Sequence, residues 1–256
     1  MSHPILPFIP AVFVPVKDLK RSTEWYADLL GRQIAPQPGQ EDHGIYIFNL
    51  EGTQIILDSN TWGSPPMIMF GSDDIDASHA FCEEHPHETV TDVFRDEFVS
   101  VFHVNSHMIC QTNRDLDLPK AKPAHSLLGG MSRIFIHADN LQDTIGWYEA
   151  FVGRSTEPDV KFGELPYIRM DRGAHLLIDD NRLSQSPRKF YEQLQLDMRV
   201  NPIAIIDTPD LTAALDHVRS KGAVADKGIE SRLGVRFFLF HDPDGNALMV
   251  CEKVSR

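Results

Sequence analysis

The chain has 256 residues, 42% of them hydrophobic and 24% charged, and a formal net charge of −13. Those values describe an ordinary folded protein with room for two domains and exclude a disordered one. The acidic balance argues against a nucleic-acid partner, whose phosphates select basic surfaces, and no apolar run approaches the roughly 20 residues of a membrane span.

The N-terminal stretch MSHPILPFIPAVF has no basic region and no small-residue cleavage site, so no signal peptide is expected there. Residues 11–16, AVFVPV, are apolar and β-branched and predict a strand. Asp18 is placed to cap a helix whose apolar stripe is Leu19, Trp25, Leu29 and Leu30, and Gly31 stops it. GIYIFNLEG and TQIILDSN then read as a hairpin turning at Glu51-Gly52. A second unit begins with a strand at 67–71, continues through a helix around 74–85, and ends in strands at 98–104 and 106–111. Residues 113–130 hold two prolines, alternating charges and Gly129-Gly130, the composition of a linker. Residues 131–181 repeat the first unit and 203–252 the second.

The repeat is explicit. FVPVKDLKRSTEWYADLLG (13–31) returns as FIHADNLQDTIGWYEAFVG (135–153), so that Phe13, Leu19, Trp25, Tyr26 and Gly31 recur as Phe135, Leu141, Trp147, Tyr148 and Gly153. Ser22 recurs as Thr144, and Tyr46, Gly52 and Asp58 recur as Tyr167, Gly173 and Asp179. NSHMICQ (105–111) lines up with NALMVCE (246–252). Three widely spaced cysteines, Cys82, Cys110 and Cys251, form no CxxC pair and read as thiols in a reducing compartment, so the cytoplasm is the expected location.

DLKRSTEWYADLLG, the hairpin behind it and FFLFHDPDGNALMVCE together resemble the vicinal oxygen chelate superfamily, the glyoxalase, bleomycin-resistance and extradiol-dioxygenase family. The resemblance covers nearly the whole chain. It implies an α+β fold of four βαβββ modules in two tandem domains, 1–112 and 131–256, joined by the linker 113–130. It also implies a small-molecule cavity inside each curled sheet and, in catalytic members, a divalent metal held by His or Glu. The positions where the family keeps those ligands hold Ala11, Ile56, Met67 and Met108 in the first half, and Arg133, Leu177, Ile203 and Met249 in the second. Aliphatic carbon and thioether do not suit a hard or borderline divalent ion, so no cofactor is expected.

Period-two alternation drafts the inward face of the second half as Arg133, Phe135, His137, Tyr167, Arg169, His175, Asp179 and Met249, with Cys251 beside them. Arg133 suits an anionic or carboxylate-bearing ligand, or else it pairs with Asp179 and closes the cavity. His137 and His175, expected on adjacent antiparallel strands, offer with Asp179 a displaced two-histidine, one-carboxylate metal site as the alternative to no metal. In the first half the same face is drafted with Tyr46, Phe48, Met67, Met69 and Met108, an apolar surface for a flat ligand or simply core. His103 and His107 flank a short turn and carry little weight, and DPDG at 242–245 reads as turn chemistry.

Three functions stay open, one of them a structural or interaction role with both cavities filled by side chains. Another is a binder of a small organic molecule, for resistance or sequestration. The third is a lyase, isomerase or dioxygenase working through the second half, metal-dependent or cofactor-free. The partner is a small molecule in the last two cases, and a monomer or a homodimer satisfies the architecture.

Overall fold

The computed structural model describes residues 3–85, 89–112, 125–180, 182–183, 201–225 and 227–253. In the first half, strands β1 (Ala11–Pro15), β2 (Ile45–Phe48), β3 (Gln54–Asp58), β4 (Met67–Gly71), β5 (Phe94–Arg95), β6 (Val99–Val104) and β7 (His107–Thr112) accompany helices α1 (Leu19–Leu29), α2 (Pro38–Glu41) and α3 (Ile75–Glu84). In the second half, β8 (Met131–His137), β9 (Glu157–Asp159), β10 (Leu165–Ile168), β11 (His175–Asp179), β12 (Pro202–Thr208), β13 (Glu230–Arg232), β14 (Val235–His241) and β15 (Ala247–Glu252) accompany α4 (Leu141–Val152) and α5 (Leu211–Ser220). This is the α+β arrangement of two curled mixed sheets that the family resemblance implied. The expected linker lies largely outside the described residues.

The local signals act as their chemistry requires. Asp18, Asp74, Asn140 and Asp210 each sit at an N-cap in extended backbone and accept from a backbone N–H of the first turn. Gly153 closes α4 with φ of 69°, a left-handed conformation that needs no Cβ. Where three modules have a short edge strand, β5, β9 or β13, the first has α2 instead.

The first sheet runs β2-β3-β1-β4-β7-β6-β5 and the second β13-β14-β15-β12-β8-β11-β10-β9. In each, the opening strands of the two modules pair antiparallel at the centre, with Ala11 opposite Met69 and Arg133 opposite Ile205. One continuous core joins the two halves: Val12, Leu57 and Phe70 of the first sheet share it with Ile134, Ile178 and Phe240 of the second, and Tyr26 and Phe151 enter from α1 and α4. The opposite face of each sheet forms a separate cluster.

Two expectations are corrected here. Tyr46 and Phe48 belong to the shared core, and Ile45 and Ile47 take the other face, because Ile47 pairs with Ile56 across the ladder and shares its side. Alternation fixes which residues share a face, but not which face it is. The strands carrying His137 and His175 are adjacent but parallel, with His175 opposite Arg133 and His137 opposite Asp179. Helix α4 and strands β9 and β10 intervene between β8 and β11, and such a crossover returns the chain in the same direction. At about 3.3 Å per residue the two imidazoles are on the order of 13 Å apart.

The halves are stitched by polar contacts as well. Ser22 Oγ and the Arg21 guanidinium both donate to Asp244, each at 2.6 Å, and Tyr26 donates to Asp242 at 2.9 Å. Asn246 Nδ2 donates to the Pro15 carbonyl at 2.9 Å. Gly52 and Gly173, equivalent in the repeat, pack so closely that a Cβ on Gly52 would lie 3.3 Å from the Gly173 Cα. Asp242, Asp244 and Asn246 are all buried, so the DPDGN segment is an interface as much as a turn.

Candidate functional site

The concave face of the second sheet has a floor of carbon and sulfur: Phe135, Leu177, Ile205, Met249 and Cys251 from the strands, covered by Phe162, Leu165, Leu183 and Phe237. Phe162 and Leu183 are 0% exposed, so the depth of this face is filled by the chain's own side chains. Phe135 and Met249 therefore pack rather than project into open space.

Around that floor runs a rim of half-buried cations. Arg133 Nε donates to Asp159 at 2.8 Å, Lys161 to Asp207 at 2.9 Å, and Arg232 to Glu230 at 3.2 Å. Each cation also lies over an aromatic ring: Arg133 over Tyr167 at 5.2 Å, Lys161 over Phe162 at 5.0 Å, and Arg232 over Phe237 at 5.7 Å. Arg133 thus has an acidic partner, but it is Asp159 and not the Asp179 weighed from sequence. Asp159 lies on an edge strand of only three residues, and no periodic pattern announces it.

Asp179 is fully buried and accepts from the Leu183 N–H at 3.1 Å, much as Asp58 accepts from the Asn60 N–H at 2.8 Å in the first half. Both repeated aspartates hold the turn that leaves their strand.

The predicted residues that do come together are Arg133, Tyr167 and His175, with Arg169 near enough to act electrostatically on His175. Tyr167 lies 5.8 Å from His175, ring to ring, and donates to Glu157 at 3.2 Å. The Met170 N–H donates to His175 Nδ1 at 3.1 Å, which leaves the proton of a neutral imidazole on Nε2. Burial, Arg133 and Arg169 lower the His175 pKa to about 4, and Asp159 and Glu157 oppose this only in part. At neutral pH its ring is therefore uncharged and offers the Nε2–H as a donor.

His137 lies apart, at the far end of its strand. It stacks on Phe135 at 5.2 Å and donates from Nε2 to the Pro202 carbonyl at 2.9 Å. Burial lowers its pKa, opposed by the Pro202 hydrogen bond and Asp179. Among the described residues no group of three or more His, Cys, Asp or Glu is placed to hold a metal, and the His137, His175, Asp179 alternative is not assembled. Cys110 and Cys251 are buried, with thiol pKa values pushed up by burial, Cys110 to about 11, so neither is poised as a nucleophile.

The model of the Glyoxalase/Bleomycin resistance protein/Dioxygenase superfamily matches residues 8–250. No curated protein matches the chain by sequence. Among solved structures, the chain resembles the Mn(II)-bound glyoxalase from Novosphingobium aromaticivorans, with 15% identity and a TM-score of 0.59 over 98% of this chain and 83% of that one. It also resembles a catechol 2,3-dioxygenase (14% identity, TM-score 0.54, over 96% of this chain and 93% of that one). A third is the 2,2',3-trihydroxybiphenyl 1,2-dioxygenase from the dibenzofuran-degrading Sphingomonas wittichii strain RW1 (15% identity, TM-score 0.54, over 98% of this chain and 91% of that one). At such identities the likeness is one of fold.

The expectation of no cofactor is overturned by the first of these structures, in which a protein of this fold carries Mn(II). The absence of ligands at a few sequence positions was too narrow a basis for it. The donors this chain supplies at those positions remain carbon and thioether, with one guanidinium, and do not fit a divalent ion; no step below runs through one. Among the described residues no helix is long and apolar enough to cross a membrane.

Proposed function

The chain belongs to the glyoxalase/bleomycin resistance protein/dioxygenase superfamily, and on that premise we propose that it binds a small organic anion at the mouth of its second sheet. The ligand is an aromatic or other apolar carboxylate. The observation that carries this reading is the convergence of donors: the Arg133 guanidinium and the His175 ring, with its Nε2–H, both lie beside the Tyr167 ring, and Arg169 acts electrostatically on His175. Arg133 is pre-oriented by Asp159, so less side-chain freedom is lost on binding. Phe135 and Met249 support the site from the floor, while His137 and Asp179 hold the far end of the strands. The packed floor makes this a shallow site for one face of a ligand, which suits sequestration. An enzyme acting here would need a base, and the tautomer of His175 argues against that role. The three free, buried cysteines support a reducing, cytoplasmic setting.

Calorimetric titration of the whole chain with benzoate and with methyl benzoate tests the reading. Saturable binding of benzoate at least tenfold tighter than of the ester, lost in Arg169→Gln and in the charge-balanced pair Arg133→Gln/Asp159→Asn, is the expected result. Equal binding of acid and ester, or binding unchanged in both variants, would overturn it.

A further inference from the structure

The duplication makes the two seams between the halves comparable residue by residue, and they differ. At one, the connection from β14 to β15 runs over 242–246 and is driven into the contact with α1, where Asp242, Asp244 and Asn246 receive or give the bonds described above. At the other, the connection from β6 to β7 has only Asn105 and Ser106. The helix facing it, α4, still presents the equivalents of Ser22 and Tyr26, namely Thr144 and Tyr148. In place of the Ser22, Tyr26, Asp242 and Asp244 bonds, the Tyr148 hydroxyl and His107 Nε2 lie 2.7 Å apart.

The short turn leaves space. A cavity of about 360 Å³ opens at the mouth, against Asp143, Thr144 and Trp147. A second, of about 210 Å³, is bounded by Val12, Ile68, Ile134, Phe135, Pro202 and His137, from both faces of β8. Ser106, His107 and Tyr148 line both. An apolar cavity of about 150 Å³ is enough for benzene, so the inner chamber has room for one ring and a substituent.

Its polar chemistry is incomplete. The Nδ1 atoms of His107 and His137 are buried without a hydrogen-bond partner. His137 gives its Nε2–H to the Pro202 carbonyl, which can only accept, so Nδ1 is left as a bare lone pair that needs a donor. Buried polar atoms are seldom left unsatisfied, and orphans call for an explanation. Among the described residues no lysine or arginine lines either chamber, so none of them offsets a buried carboxylate. Burial lowers His107 to about 4, and the same desolvation would reject an ammonium group.

We propose that this seam is a second ligand site, taking an uncharged molecule that has one apolar ring and a hydroxyl able to donate to a buried imidazole. It is separate from the anion site at Arg133 and stands whether or not that site exists. The shortened turn is then what gives one of two duplicated seams a binding role, while the full-length turn closes the other.

Benzyl alcohol, benzylamine and benzoate are the probes, read by histidine ring signals in NMR and by the thermal shift of the whole chain. The expected result is saturable movement of the His107 and His137 signals with benzyl alcohol, and at least tenfold weaker effects with the two charged probes. His107→Leu places at this position the residue its counterpart Leu248 already provides in the other half, so the fold is expected to tolerate it. It should weaken benzyl alcohol at least fivefold and leave benzoate unchanged, whereas Arg169→Gln should do the reverse. Replacing Asn105-Ser106 by the sequence of residues 242–246 should fill the cleft and abolish alcohol binding. Histidine signals that do not move with benzyl alcohol, or affinity unchanged in His107→Leu, would overturn the proposal.

Discussion

Tyr26 and Asp242 lie 216 positions apart and meet hydroxyl to carboxylate at 2.9 Å across the seam between the halves. Tyr26 is fully buried, and burial together with Asp242 raises its pKa well above the ordinary tyrosine value, so the phenol stays protonated and acts as the donor. The repeated Trp-Tyr pair thus marks where each half grips the other. Tyr26→Phe removes the donor and leaves a buried carboxylate short of a partner, a loss of roughly 1–3 kcal/mol. Urea unfolding should show that loss with an unchanged m-value; a change within 0.5 kcal/mol, roughly what a neutral surface substitution gives, would show the bond to be dispensable.

Gly173 allows a close approach of the two halves. It has φ of +74°, and a Cβ there would meet Thr53 Oγ1 at 2.7 Å, the hydroxyl that donates to the Ile9 carbonyl and accepts from the Ala174 N–H. Gly173→Ala therefore combines left-handed backbone strain with a steric conflict and should cost about 1–3 kcal/mol. Thermal unfolding of the variant should show a midpoint lowered by several degrees; an unchanged midpoint refutes the close-packing argument.

Arg133 and Asp159 form a pair in which the carboxylate is 4% exposed. Removing only the cation strands a buried charge, at a cost of about 3–5 kcal/mol, whereas removing both charges is far milder. A double-mutant cycle with Arg133→Met and Asp159→Leu should show strong coupling, the double variant being more stable than Arg133→Met alone. Additive losses would mean the pair is solvated.

His107 gives the stability a definite pH dependence. Its folded pKa is about 4, below the ordinary 6.5, because burial disfavours the imidazolium. The unfolded chain therefore binds the proton first as pH falls. Stability from this group is complete above pH 6.5 and is lost between about 6.5 and 4, in total on the order of 3 kcal/mol. His107→Leu should flatten that slope in denaturant titrations at pH 5 and pH 7. An identical slope in the variant would place the effect elsewhere.

The thiols should be inert in the native state. Burial raises Cys82 to about 12 and Cys110 to about 11, so little thiolate exists at pH 8. A chromogenic disulfide reagent should label all three cysteines at once in denaturant and none rapidly without it; fast labelling of one native thiol would contradict its burial.

What the sequence determined by itself was local or repeated. Asp18 and Asn140 could be placed as caps because capping acts over three residues, and the duplication was legible because its residues recur at a fixed offset. Those signals gave the order of elements in each half, and the family resemblance carried by the same motifs implied the α+β fold and the two-sheet plan. The polar mouth was half legible: alternation placed Arg133, Tyr167 and His175 together, but Asp159 comes from a short edge strand that no pattern signals.

Only the tertiary structure decided the rest. Whether Tyr46 or Ile47 looks inward depends on the register with β3, and whether β8 and β11 run parallel depends on the crossover between them. Those choices separated His137 from His175 and gave Arg133 to Asp159. The weight of the 242–246 turn, and of the shorter 105–106 turn opposite α4, appears only when the halves meet, because a turn residue acquires its partner from the other end of the chain. Sequence carries short-range chemistry on its face; long-range pairing is a property of the packed whole.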